Sequence, residues 1–373
     1  MDRKLVYVPV FRGLQEEIKV LKSFNFKDRV YPCIEIVKEL DRLPQTSKKP
    51  KANSNGNEKT PKTFEDVYIP LIRNIKAQKV IIDLPIQVKE HSSMKRETIL
   101  FLKGVVANRE KRTEYLKKLS PLRNKVIPVI SSYYSRTNER NSILRQFEDL
   151  KNHFDSLAFR TSSASYDSFS RDITQIESVI SPKDYLIVDW EDNEMEVCDD
   201  NSDIVEKLGT LNCTTIIHKN SISKLVTNSG LDHGKIVTGA DNGLLDTYRD
   251  LGADCFSDYC GIKKHNLGKG GSISPGFIYY DAVRNKFYGF KSELKELGEF
   301  SKTIVPAILS SAATRRMNED ELDFLSQENI GWKIVNNIKN NLEPGASAAK
   351  FKRIGMEHYL HCLQTKILNG DFD

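Results

Sequence analysis

The sequence predicts an α/β protein, a (β/α)8 TIM-like barrel followed by a C-terminal β-hairpin and a helical extension. Three observations carry that expectation. Eight short runs rich in β-branched and aromatic residues recur along the chain. They are apolar on both faces, as strands covered on both sides of a parallel sheet must be. The stretches between them are long enough for helices, and the repeats together occupy about 260 residues, close to the ~250 of such barrels. A doubly wound sheet uses the same repeats but more often stops at about five to seven strands.

The strands are expected in order. The first is LVYVPVF (5–11), followed by a helix over 13–24 with Leu14, Ile18 and Leu21 on one face. RVYPCIEIV (29–37) is the second. After it, DRLPQTSKKPKANSNGNEKTPKT (41–63) is polar, lysine-rich and almost free of apolar anchors, so it is expected to be a disordered insertion. KVIIDLP (79–85), an amphipathic stretch over 98–119 and KVIPVISSY (125–133) come next. SLAFRTS (156–162), YLIVDWE (185–191), CTTIIHKN (213–220) and DCFSDYC (254–260) complete the eight, with a helix ending at Gly252 before the last. Residues 261–276 are rich in glycine and lysine and lead out of the barrel. FIYYDAVRNKFYGFKSE then alternates aromatic with polar residues around a turn at Val283–Lys286, which reads as a hairpin. Helices are expected at 296–313, 319–341 and 346–368. The expected division is a barrel over 1–265 and a hairpin-plus-helix extension over 266–373 packed on it.

Composition excludes several classes. No stretch approaches the ~18 consecutive apolar residues of a membrane span, and the opening MDRKLVYVPVF is too short for a signal peptide. Six cysteines (Cys33, Cys198, Cys213, Cys255, Cys260 and Cys362) show no CxxC spacing, which points to a reducing cytoplasm rather than a disulfide scaffold. With 56 Lys+Arg against 51 Asp+Glu, the net charge of +5 does not mark a nucleic-acid binder. The distribution is more telling. Residues 86–125 hold eleven Lys/Arg and four Asp/Glu, whereas 184–206 hold ten acids and no base. Such asymmetry suits self-association or a charged protein partner; solvated helix faces would also produce it. Lys95, Arg96, Lys103, Arg109, Lys111 and Arg112 leave nucleic-acid backbone contact open, without the interleaved aromatics of a stacking platform.

Several short motifs occur in a telling order: YVPV followed by Arg12, RVYPCIEI, IIDLP, FRTS, IVDW, SDYCG, the IYYDAVRNKFYGF hairpin and EHYLH in the final helix. In this the sequence resembles the beta family proteins of temperate phages, phage satellites and bacterial genomes. Their corresponding pieces are Y-V-P with a lysine, P-L-I-E-I, a late G-D-Y, an R-Y hairpin and a terminal H-H-L. Here Ser257 replaces the glycine before Asp258 and Tyr259, Tyr279 stands where arginine is usual, and His358-Tyr359 stands for the paired histidines. The resemblance implies a setting, an accessory component of prophage- or satellite-encoded antiviral immunity acting through a protein partner or a sensed ligand. It brings no reaction with it.

Chemistry in a barrel gathers at the C-terminal ends of the strands. Those ends here are Arg12, Glu35, Asp83, Ser131, Arg160, Asp189, His218 and Asp258, with Tyr259 beside the last. Closure of the eighth strand on the first would place Asp258, Arg12, Glu35 and Asp83 on one arc. Glu35, Asp83 and Asp258 could then hold a magnesium ion, the one cofactor the residues suggest, or act as an acid/base pair. The arginines suit phosphate or carboxylate groups. Mutual neutralisation of arginine and carboxylate is the competing reading. Lys263, Lys264, Lys269 and Gly270 form a second candidate, a phosphate-binding loop after the last strand, against the plainer role of connector. His358, His361 and Cys362 lack a second ligand pair at zinc spacing, so His358 is expected to be buried and hydrogen-bonded. Two further functions stay open beside the defence role: a barrel enzyme acting on a phosphorylated or nucleotide-like small molecule, and a nucleic-acid-binding module.

Overall fold

The computed structural model describes residues 4–39, 62–88, 91, 93–163, 166–191, 199–264, 267 and 274–373. Eight parallel strands close into a barrel: β1 (Tyr7–Phe11), β2 (Cys33–Glu35), β3 (Val80–Asp83), β4 (Val126–Ser131), β5 (Ala158–Ser162), β6 (Tyr185–Glu191), β7 (Thr214–Lys219) and β9 (Cys255–Asp258). A two-residue strand, β8 (Lys235–Ile236), lies outside the ring. β9 closes on β1 with Pro9 beside Asp258 in register. Each expected strand is present. The expected insertion falls largely outside the described residues. Its last residue, Thr63, is ordered as the N-cap of the helix Phe64–Asn74, accepting from the Asp66 N–H.

Strand parity sorts the barrel's side chains into two cores. Val8, Val10, Cys33, Ile81, Val129, Ala158, Ile187, Ile216 and Cys255 fill the interior. The alternate residues, such as Phe11, Ile34, Ile82, Phe159, Val188 and Phe256, join a second, continuous apolar cluster. That outer cluster runs from the barrel surface through the surrounding helices to the C-terminal extension.

Helix boundaries correct the sequence expectation in three places. The stretch 98–119 is two helices, Arg96–Ala107 and Arg109–Lys117, because Asn108 adopts an extended conformation and accepts from the Lys111 N–H, starting a new helix. The helix before β9 is a single turn, Leu244–Thr247, with Gly252 in the left-handed region (φ +72°) just ahead of the strand. In the extension, Ser311 and Asn329 each cap a helix from its start. The expected 296–313 and 319–341 therefore become a π-turn Phe300–Ile304 running into Val305–Leu309, then Ala312–Glu319 and Ile330–Lys339.

The hairpin is β10 (Gly276–Asp281) and β11 (Lys286–Lys291), and β11 pairs antiparallel with β8. Nothing in the sequence announces β8, which is too short for any period to show. The final helix, Ala348–Asn369, is buried on every side over its middle, from Ile354 to Leu360. It touches the first helix, where Ser23 Oγ donates to Glu357 at 2.8 Å, and the hairpin, where His358 Nε2 bonds the Tyr280 carbonyl at 2.8 Å.

Candidate functional site at the barrel mouth

Inward-facing positions change from apolar to ionisable at the C-terminal ends of six of the eight strands. Arg12, Glu35, Asp83, Arg160, Asp189 and His218 each lie two residues beyond an interior residue: Val10, Cys33, Ile81, Ala158, Ile187 and Ile216. The period of two along a strand therefore aims all six inward. Asp258 has the opposite parity. It lies two residues beyond Phe256 of the outer cluster, and it faces away from the mouth. Its successor Tyr259 points in and donates its hydroxyl to Glu35 at 3.0 Å.

Arg160 is the hub. One terminal nitrogen donates to both Glu35 (2.9 Å) and Asp83 (2.8 Å), and the other, with Nε, bonds Asp189 at 2.5 and 3.2 Å. Arg12 Nε takes the second oxygen of Glu35 at 2.9 Å. Arg112 reaches the network from the helix outside, bonding Asp83 (3.0 Å), Gln146 (2.8 Å) and the Leu84 carbonyl (2.7 Å) while fully buried. Burial alone would raise the Glu35 carboxyl, but Arg12 and Arg160 outweigh it and hold the group well below the usual carboxylate range. Asp189 is held down in the same way, with Arg160 overcoming burial. In return the carboxylates raise the Arg160 guanidinium against the pull of burial.

His218 is neutral, burial having pushed its imidazole down to about 4. Its tautomer follows from its neighbour. Ser257 Oγ donates its only proton to the Val8 carbonyl at 2.7 Å, so at 2.9 Å it must accept from His218 Nδ1–H. Nε2 is left as a bare lone pair, buried and without a hydrogen-bond partner among the described residues.

A cavity of about 280 Å³ opens onto this network, walled by Ser131, Ser132, Arg171, Asp172 and Lys264 among others. Lys264 hydrogen-bonds no carboxylate among the described residues, and its ammonium lies 5.2 Å from the Tyr259 ring centre. Arg171 stacks on Tyr134 at 3.9 Å and reaches Asp172 only at 3.6 Å. Neither Arg112, Arg171 nor Asp172 stands out at a strand end. Arg112 is a member of the basic segment in the sequence, and the signal for its inward role is that it shares an apolar face with Leu116, four residues on.

Several expectations are corrected by this geometry. Glu35 and Asp83 converge on the same Arg160 nitrogen, and Asp258 is on the other side of the wall, so the three do not form a magnesium site. Among the described residues no three His, Cys, Asp or Glu side chains are grouped to hold a metal. In the expected phosphate loop, Lys263 donates to the Val226 carbonyl at 2.6 Å and does not line the cavity, whereas Lys264 does. Lys269 and Gly270 lie outside the described residues. In the basic segment, Arg109 pairs with Glu139 and Asp149 and Arg112 with Asp83, which leaves less of its charge to a nucleic acid. His358 is buried between Tyr280 and Asn329, as expected. No helix among the described residues is long and apolar enough to cross a membrane.

No curated protein and no solved structure matches the chain. A family model described as Beta protein matches residues 7–364. That span begins at the first barrel strand, takes in every residue of the mouth network and ends inside the final helix. The chain belongs to the Beta protein family.

Proposed function

We propose that the barrel mouth holds a small anionic ligand bearing phosphate or carboxylate, and that the protein uses it as an accessory component of cytoplasmic anti-phage defence, passing the signal to a protein partner. The observation that carries the ligand is Lys264, a cation on the cavity wall with no carboxylate bonded to it among the described residues, above a floor where Glu35, Asp83 and Asp189 each have a guanidinium. The charges that line the cavity balance, Arg12, Arg160, Arg171 and Lys264 against Glu35, Asp83, Asp172 and Asp189, and Arg112, paired with Asp83 from the helix outside, adds a fifth cation. An anion completes that balance, and Arg171 beside the serine hydroxyls of Ser131 and Ser132 offers it further donors. Family membership supports the defence setting, and the unpaired cysteines Cys33, Cys213, Cys255, Cys260 and Cys362 are consistent with a reducing compartment.

The test is a thermal-shift titration with pyrophosphate and a panel of nucleotides and sugar phosphates. A ligand at a hundred times its Kd adds about 2.7 kcal/mol of stability. At least one anion should raise the melting temperature of the wild-type protein, and Lys264→Ala should abolish that rise and weaken protection in a phage challenge. A panel without effect, or a rise that Lys264→Ala leaves intact, overturns the reading.

His218 favours a second reading, an enzyme acting on a phosphorylated or nucleotide-like molecule. A neutral imidazole with a buried Nε2 that has no partner among the described residues is the form a general base takes before it accepts a proton. Incubation with the same panel and mass spectrometry of the products would decide, with His218→Asn as the control.

A further inference from the structure

The network around Asp258 lies behind the barrel wall, where β9, β1, the segment after β7 and the final helix meet. Asp258 is 2% exposed and forms no ion pair among the described residues. Its Oδ1 accepts from Tyr7 Oη at 2.5 Å and from the Cys260 N–H at 2.8 Å. Its Oδ2 lies 2.6 Å from Ser221 Oγ and 2.6 Å from Tyr359 Oη.

Proton bookkeeping bears on the direction of the last contact. Asn285 Nδ2 faces two groups that can only accept, the Asn242 carbonyl at 3.1 Å and an Asp246 carboxylate oxygen at 2.9 Å. The amide of Asn285 is thereby oriented, and its Oδ1 faces Asn242 Nδ2 at 2.7 Å and the Tyr280 hydroxyl at 3.0 Å. Asn242 is oriented in turn, presenting Oδ1 to Tyr359 Oη at 2.9 Å. The phenol has one proton and Asn242 Oδ1 has none to offer, so both contacts are hydrogen bonds only when Tyr359 donates to Asn242. The contact between Tyr359 Oη and Asp258 Oδ2 then needs a proton from Asp258.

We propose that Asp258 is a protonated, neutral carboxylic acid at neutral pH, and that its proton latches the final helix to the barrel through Tyr359. The surroundings agree. The titratable groups facing Asp258 are Tyr7 from β1, Cys260 from the turn after β9, Tyr359 from the final helix and Tyr280 from β10, with Asp246 behind Asn285. None brings a positive charge, and Asp246 is a negative one. Burial raises the Asp258 carboxyl, against the pull of its hydrogen-bond donors. Ionisation would force a choice: Tyr359 turns its proton to Asp258 and leaves Asn242 Oδ1 buried and unsatisfied, or it faces a bare carboxylate with a lone pair. Either outcome loosens the seat of the helix. The sign is set by a folded-state pKa above the unfolded one, so the stabilisation is complete at low pH and lost as pH rises through the folded value.

Asp258→Asn tests this, because an amide supplies the N–H that the acid supplies as O–H. With a neutral Asp258, the variant should melt within a few degrees of wild type at pH 7. The infrared spectrum of the wild-type protein should contain a buried protonated-carboxyl band that the variant lacks. Amide exchange across 348–369 should quicken as pH is raised in wild type, beyond the chemical effect of pH and beyond that in the variant. Absence of the band at pH 7 in the wild-type protein overturns the proposal, whether or not the variant folds. So does a variant that folds but melts more than ten degrees lower, since an ionised Asp258 receiving four donors cannot be replaced by an amide without a clash of hydrogens.

Discussion

At the scale of single residues, the mouth is organised by one guanidinium. Arg160 serves three carboxylates at once, and Lys could not reproduce its planar fork. Arg160→Met should cost on the order of 3–5 kcal/mol in urea unfolding, because buried charges lose their partner. Its acid limb should also flatten. Glu35 and Asp189 have depressed pKa values, so their stabilisation is present above the ordinary carboxylate range and lost as pH falls through their folded values. The two buried histidines act on a different window. His218 and His358 titrate at about 4, against about 6.5 when unfolded, so stability should fall as pH drops from 6.5 towards 4. Each accounts for up to about 3 kcal/mol. His218→Asn should remove its share of that slope in melts recorded across the window, and an unchanged slope would rule the imidazole out as its source. Six of the mouth residues were legible in the sequence because they end strands in phase with an apolar interior. Asp258 misled because it also ends a strand, and only the closed barrel reveals that β9 turns Tyr259 inward and its neighbour out.

At the scale of elements, strands were easier to read than helices for a physical reason. A strand covered on both faces must be apolar throughout, whereas helix ends are set by single caps such as Asn108, Ser311 and Asn329 inside longer periodic stretches. Partner helices were not legible at all. Ile330–Lys339 lies so close to the final helix that a Cβ on Gly331 would sit 2.4 Å from the Ile354 carbonyl oxygen and 2.7 Å from the His358 nitrogen. Backbone cannot give way as a flexible side chain can. Gly331→Ala should therefore force the two helices apart and cost about 1–3 kcal/mol, outweighing the gain in helix propensity. A chemical melt decides, and a stabilised variant would mean that the crossing is looser than described.

At the scale of the whole molecule, the barrel's outer surface and the extension share one apolar cluster. Phe277, Tyr279, Tyr280, Phe287 and Phe290 are all buried, and Phe256 of β9 packs on Phe372 at a ring separation of 5.7 Å. The expectation that residues beyond 276 form one cooperative unit with the barrel is tested by ending the chain near residue 265. The shortened protein should aggregate or bind a hydrophobic dye, having lost the cover over a large apolar face. A monomeric product with the melting temperature of the full chain would show instead that the barrel stands alone. The barrel strands and the aromatic hairpin were visible in the sequence. The third strand that binds them was not, since two residues carry no pattern.

The pairing of β9 with β1 has a consequence for how the protein is made. The two strands that close the ring are separated by about 250 residues, as the bond from Tyr7 to Asp258 records. A ribosome adding about 5–20 residues per second releases the first strand long before its partner exists. The hydroxyl of Tyr359, 101 residues after Asp258, follows about 5–20 s later still. Until then the nascent ring has an open seam of unpaired backbone and an uncovered aromatic flank, the features that favour aggregation during synthesis. Its yield in the cell should therefore depend on chaperone supply more steeply than its equilibrium stability would suggest.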